Sequence, residues 1–304
     1  MKLRLISAFG LLILCSVQSS AVSFTFASST FTSFDYPGAT TTYAEDVNDS
    51  GQIAGYYVGS APGSSSSIHG FLKDGADFIS IDYPGATNTY VFGINASGQI
   101  VGSYSDASTS HGFLKDGANF VSIDYPGASS TYATGINDIS QVVGYYFGSV
   151  PGNSSGVHGF LKDGANLVSF DDPAANDYTV PAGINNSGQI VGTHPFLGHG
   201  FLKDGVSFIA IDYPGATRTS ADGINDSGQI VGSYFDNSTT HSFLKDGANY
   251  MPVDYPGATY TLTTGINDRG EIVGYATLAN VPEPSTLALL AMGALLFGWC
   301  NRFR

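Results

Sequence analysis

Asp-Tyr-Pro-Gly-Ala begins at Asp35, Asp82, Asp124, Asp212 and Asp254, and an altered copy, Asp-Asp-Pro-Ala-Ala, begins at Asp171. Thirteen residues after each Asp stands an Asn (Asn48, Asn95, Asn137, Asn225, Asn267), with Asn185 one residue later in the altered copy. His69, His111, His158, His199 and His241 each precede the next Asp by thirteen residues. Only the Asn-to-His stretch changes length, at 21, 16, 21, 14 and 16 residues. A period of 41 to 47 residues is that of a stacked or circular array, whose single unit cannot bury its own apolar face.

Each unit reads as four short strands. In residues 82–124, the β-prone runs Thr89–Ile94 and Gln99–Tyr104 flank Asn95-Ala96-Ser97-Gly98, and His111–Lys115 and Asn119–Asp124 flank Asp116-Gly117. Both connections are hairpin chemistry, and Tyr125-Pro126-Gly127 suits a type II turn into the next unit. Four strands in about 43 residues is the size of a propeller blade.

The two ends decide between a ring and an open stack. Aligning Asp35 with Asp82 places Phe31 on Phe78, Phe24 on Phe71 and Val22 on His69, so residue 22 begins where the third strand of a blade begins. Tyr260–Ile266 and Glu271–Ala276 supply the first two strands of another blade and then stop. Two strands from each end make one complete sheet and leave no open end to cap. The expectation is an all-β, six-bladed β-propeller of four-stranded antiparallel blades over residues 22–280, its last blade shared between the termini. A β-solenoid is the alternative use of the same repeat.

The flanking segments read as addresses. Lys2 and Arg4, an apolar run Leu5–Cys15 and small residues ending at Ala21 give a secretory signal helix over residues 1–21. At the other end Val281, Pro282, Glu283 and Pro284 precede an apolar stretch Leu287–Cys300 and the basic end Arg302 and Arg304. A short hydrophobic helix with cations beyond it is a membrane anchor in its plainest form. Residues 281–304 also resemble the PEP-CTERM sorting signal of Gram-negative bacteria. That resemblance implies an exported chain, a transiently membrane-anchored precursor, and an exosortase-type membrane protease as partner, with Val281–Pro284 as the sorting signal.

Both cysteines lie in these ends, so the repeat domain has neither disulfides nor thiolate metal sites. Between residues 22 and 280, 24 acidic residues face 7 basic ones, which argues against nucleic acid and anionic membranes. No nucleophile motif, phosphate-cradling loop or Cys/His cluster is present, so no catalytic, cofactor or metal residue is assigned. The Asn-Asp-Ser-Gly turns offer too few ligands for calcium and read as hairpins. The repeated histidines read as blade-packing residues, and His194 stands outside the pattern. Acidic residues off the repeat, namely Glu45, Asp46, Asp106, Asp172, Asp177, Asp222 and Asp236, look scattered.

In a meander, successive loops alternate between faces. The Asp-Tyr-Pro-Gly-Ala turns therefore share a face with the variable segments, which is where recognition is expected. Tyr36, Tyr83, Tyr125, Tyr213 and Tyr255 are the candidate ligand-binding residues there, as aromatic platforms suited to sugar rings. The Gly-Ile-Asn-Asp-Ser-Gly-Gln-Ile-Val-Gly and His-Gly-Phe-Leu elements resemble the extracellular HAF-type repeats of bacteria across most of residues 31–275, with Gly in place of Ala within His-x-Phe. That likeness implies an exported repeat protein without established enzymatic activity. The functional expectation is a non-catalytic cell-surface or matrix protein associated with extracellular polysaccharide. A propeller hydrolase or lyase acting on such a polymer is the alternative.

Overall fold

The computed structural model describes residues 19–25, 30–59, 67–106, 109–149, 155–175 and 178–278. The helices expected in the leader and in the sorting tail lie outside these residues. Every regular element described is a strand, and among the described residues no helix is long and apolar enough to cross a membrane.

The chain opens with β1 (Ser19–Thr25) and β2 (Thr30–Phe34). The first sheet of consecutive strands follows: β3 (Thr41–Val47), β4 (Ile53–Gly59), β5 (Ser67–Asp74) and β6 (Asp77–Ile81). The same antiparallel meander recurs as β7 to β10 (88–123), β11 to β14 (130–170), β15 to β18 (180–211) and β19 to β22 (218–252). The chain then makes β23 (Ala258–Ile266) and β24 (Glu271–Leu278). These two strands combine with the first two into a sheet ordered β2-β1-β24-β23. Five blades are thus continuous in sequence and one four-stranded sheet is composite, giving an all-β propeller.

In the composite sheet Phe24 lies opposite Ile272 on one side and Phe31 on the other. Ser19, Ser20 and Ala21, read from sequence as the end of the leader, are the first residues of β1. The pairs from Val22↔Gly274 to Thr25↔Glu271 continue beyond them.

Apolar side chains at alternate positions fill the space between neighbouring sheets. Ala54 and Ile81 of one blade meet Val91, Ile94, Ile100 and Phe113 of the next, and equivalent clusters recur around the ring. Val231, Leu244 and Val253 meet Ile266 and Ile272 where the composite blade begins. Ala44, Val47 and Ile53 pack on Val273 and Phe34 where it meets the first continuous blade. The ring is therefore closed by the same kind of core that joins its other blades. Each fully buried Phe (Phe71, Phe113, Phe160, Phe201, Phe243) contributes roughly 2–3 kcal/mol of burial. It does so because the glycine on the neighbouring strand leaves room: a Cβ on Gly102 would lie 1.9 Å from the Tyr90 carbonyl oxygen and 2.9 Å from the Phe113 ring.

The repeated Asn is a clamp as well as a turn residue. Asn48 Nδ2 donates to Asn95 O (3.1 Å), Asn95 to Asn137 O, Asn137 to Asn185 O, Asn185 to Asn225 O and Asn225 to Asn267 O. Asn267 Nδ2 completes the circle at Asn48 O, 2.9 Å away. All six are buried, and each side-chain amide also bonds Gln52, Gln99, Gln141, Gln189, Gln229 or Glu271 four residues on. In the third continuous turn Ser140 adopts the left-handed conformation that glycine takes in the others (φ 63°), and its hydroxyl donates to Gln99 Oε1 at 2.7 Å.

Candidate functional site

The innermost strand of every blade carries the same irregularity. Pairing shifts by one residue between Ala44 and Asp46, Val91 and Gly93, Ala133 and Gly135, Pro181 and Gly183, Ala221 and Gly223, and Thr263 and Gly265. A β-bulge leaves one residue unpaired and re-aims its side chain. Here the extra residues are Glu45, Phe92, Thr134, Ala182, Asp222 and Thr264, and all six line the axis of the ring. The glycine that follows allows the strands to crowd the axis: a Cβ on Gly135 would sit 3.1 Å from Gly183 Cα and 2.8 Å from Ala182 O. Asp46 replaces that glycine in the first blade. Its Oδ2 accepts from Ile94 N and its Oδ1 from Val47 N, both at 2.9 Å.

The bulge ring separates two axial cavities. The smaller, about 100 Å³, runs toward the Asn-Asp-Ser-Gly turns. Its mouth is a girdle in which the backbone N–H of one residue donates to the side-chain oxygen of the next: Ala96 to Asp138, Asp138 to Asn186, Asn186 to Asp226, Asp226 to Asp268 and Asp268 to Asp49, at 2.7–3.0 Å. Burial, with the charges of Asp226 and Asp49 beside it, raises the Asp268 carboxyl above its ordinary range, although an N–H bond from Asp226 opposes the shift. Among the described residues no group of three His, Cys, Asp or Glu is placed to hold a metal ion.

The larger cavity, about 290 Å³, lies toward the face of the Asp-Tyr-Pro-Gly turns and variable segments. Its lining is of two kinds, interleaved around the ring. Tyr145, Tyr275, Phe92, Leu262, Val180 and Pro181 supply apolar surface, whereas Ser220, Ser233, Thr193, Thr134 and Thr264 supply hydroxyls. Its two tyrosines, which enter from opposite sides of the ring, are each backed by a further ring: Tyr43 meets Tyr275 edge-on at 4.9 Å, and Tyr132 stacks on Tyr145 at 4.8 Å. Ser220 Oγ donates to Asp222 Oδ2 (2.8 Å) and shares a hydrogen bond with Ser233 Oγ (2.8 Å), which orients that side of the cavity.

Two carboxyls, Glu45 and Asp222, face this space, and among the described residues no Lys, Arg or His lines it. Burial, with the charges of Asp222 and Asp46 nearby, pushes Glu45 up to about 8. Burial pushes Asp222 up to about 7 against the Ser220 hydrogen bond. Asp46, half-buried at the axis, rises to about 7 through desolvation although two backbone N–H groups favour its ionised form. At neutral pH the cluster therefore holds protons that ordinary carboxylates would have released. The tyrosine hydroxyls respond in the same sense. Tyr145 rises to about 12 through burial and the neighbouring Tyr132, and Tyr56 and Tyr275 rise further through burial and the Glu45 charge.

The five tyrosines singled out from sequence sit elsewhere. None of Tyr36, Tyr83, Tyr125, Tyr213 or Tyr255 lines the axial cavities. Each is half-buried at the turn between blades, and four stack at 3.6–3.8 Å on a second tyrosine: Tyr57, Tyr104, Tyr146 and Tyr234. Tyr255 meets Phe31 edge-on at 5.4 Å. The second tyrosine of each stack also lies against the repeated histidine, whose Nδ1 bonds the Asp of the following Asp-Tyr-Pro-Gly turn. His199 makes the same bond to Asp212.

The altered copy changes both members of its stack. Asp172 stands where the turn tyrosine would be, and His194 occupies the strand position of Tyr57. Their side chains form a largely buried pair, His194 Nε2 to Asp172 Oδ2 at 3.3 Å, with the imidazole stacked on Phe201. Burial lowers the His194 pKa although the Asp172 charge opposes the shift.

Residues 280–302, outside the described part of the chain, match the PEP-CTERM protein-sorting motif. That motif implies an exported chain processed by an exosortase-type membrane enzyme. No curated protein matches the chain. Among solved structures it is similar to the putative TolB from Agrobacterium tumefaciens, at 12% identity and TM-score 0.59, over 87% of this chain and 99% of that one. A streptogramin B lyase is similar at 9% identity and TM-score 0.49, over 86% and 98%. The Aleuria aurantia lectin is similar at 12% identity and TM-score 0.46, over 79% and 96%. The first likeness supports the propeller architecture and nothing finer; the tail match supplies export and processing.

Proposed function

We propose that this chain is a non-catalytic, exported repeat protein of the surface or extracellular matrix of a Gram-negative bacterium. In this reading its repeats are of the HAF type, its precursor is held briefly at the membrane by the tail, and its variable-loop face binds extracellular polysaccharide. The observation that carries the proposal is the larger axial cavity, which lies toward that face and brings aromatic surface and hydroxyls into one space. Stacking on a ring face plus convergent hydrogen-bonding groups is the chemistry by which sugars are held.

The alternative, a hydrolase or lyase acting on such a polymer, is favoured by one feature. Glu45 and Asp222 break the repeat symmetry and meet at one cavity, and two carboxyls at one site are what glycoside cleavage uses. A glycan array combined with a turnover assay on the mature chain separates the readings. Retention of one or more polysaccharides without new reducing ends or unsaturated products is the expected result. Cleavage abolished by Glu45→Gln or Asp222→Asn would establish the enzyme, and absence of any glycan binding would end the polysaccharide reading.

A further inference from the structure

The larger cavity combines features that neutral-sugar binding alone leaves unexplained. Glu45 and Asp222 enter it from blades well separated in sequence, no basic side chain among the described residues lines it, and the repeat domain carries 24 acidic against 7 basic residues. Two carboxyls sharing a partly dry space cannot both ionise without a counter-charge. Asp46 lies beside them, and Tyr56, Tyr145 and Tyr275 are the other titratable groups facing the pair. None of these supplies a positive charge. Aromatic faces such as those of Tyr145 and Tyr275 attract cations, however.

We propose that the cavity binds a protonated amino sugar, its ammonium group between Glu45 and Asp222, its ring against Tyr145 and Tyr275, and its hydroxyls on Ser220, Ser233 and Thr193. This rests on the polysaccharide reading and names the unit recognised. The size agrees: about 290 Å³ sits just under the range of drug-sized sites, which starts at about 300 Å³, and suits one sugar unit. A bare divalent cation fits less well. It needs six or more oxygens at about 2.0–2.6 Å, whereas half of this lining is aromatic or aliphatic. Binding an ammonium group restores ionisation of the carboxyls, so complex formation at neutral pH releases protons.

Isothermal titration of the full mature chain with glucosamine, N-acetylglucosamine and glucose at pH 7, in two buffers of different ionisation enthalpy, tests this. Glucosamine is expected to bind at least about tenfold more tightly than either neutral sugar, with proton release. Glu45→Gln and Asp222→Asn should each weaken glucosamine about tenfold or more while the far-ultraviolet spectrum stays unchanged. Equal binding of the three sugars, or glucosamine affinity indifferent to both substitutions, overturns the proposal. Polysaccharide retained on the array with no monosaccharide bound also overturns it, yet leaves the polysaccharide reading intact. Glucosamine bound without any array ligand supports the pocket and ends the polysaccharide reading.

Discussion

Glu45→Gln is expected to stabilise the folded protein by roughly 2 kcal/mol at pH 8 and to change it little at pH 4.5. The folded chain holds the Glu45 proton up to about pH 8, whereas the unfolded chain releases it near the ordinary glutamate value of 4.5. Between those values the native state binds more protons, so its stability falls as pH rises through the window. One pKa unit corresponds to about 1.4 kcal/mol, and the cavity admits water, so about half the full shift is the realistic size. Gln cannot ionise and keeps the side-chain volume, so it escapes the loss. Urea unfolding at the two pH values measures this. Equal destabilisation at both would show that Glu45 is ionised and compensated in the fold.

Asn137→Ala should cost roughly 3 kcal/mol at any pH. Its side chain donates to Gln141 Oε1 (2.9 Å) and to Asn185 O of the next blade (3.0 Å), and accepts from Gln141 N (2.9 Å). Truncation removes all three bonds in a position only 4% exposed, and the Gln141 N–H and the Asn185 carbonyl lose a partner there. For a domain of this size the midpoint of thermal unfolding should fall by roughly 6–12 °C. A loss below about 2 °C would mean that the interblade Asn circle adds nothing to the apolar cores.

The architecture was largely legible because its signals are local and repeated. Each Asp-Tyr-Pro-Gly turn is closed by an Ala N–H, as from Ala39 to Tyr36 O, with Gly38 at φ 81°. The phase of Phe24 and Phe31 against the repeat predicted their place in the composite sheet. The axial site was hidden for a geometric reason: Glu45 and Asp222 belong to different blades, and only ring closure and the bulge bring both to one axis. A signal was nonetheless available. In six otherwise similar Gly-Ile-Asn strands, the residue before the glycine position is Glu45, Phe92, Thr134, Ala182, Asp222 or Thr264. A position that ranges over acidic, aromatic, hydroxyl and small side chains directly beside a nearly constant Gly-Ile-Asn is the pattern of a residue released from blade packing. The turn tyrosines were placed on the variable-segment face by the alternation of loops, and their packing against other rings was not legible because each partner lies on a distant strand. His194 looked solitary because its partner, Asp172, is visible only once two strands are superposed on the repeat.

The site depends on the termini completing one blade, since Tyr275 of β24 forms part of the cavity wall beside Glu45 of β3. Native-state hydrogen exchange of β24, residue by residue, tests this most directly. With β1 on one side and β23 on the other, every amide from Ile272 to Ala276 should exchange as slowly as those of β8, the interior strand at Ile100–Ser105. If alternate amides, those directed toward β1, exchange at unprotected rates while β23 remains slow, the ring is open at that blade and the axial site does not form as described.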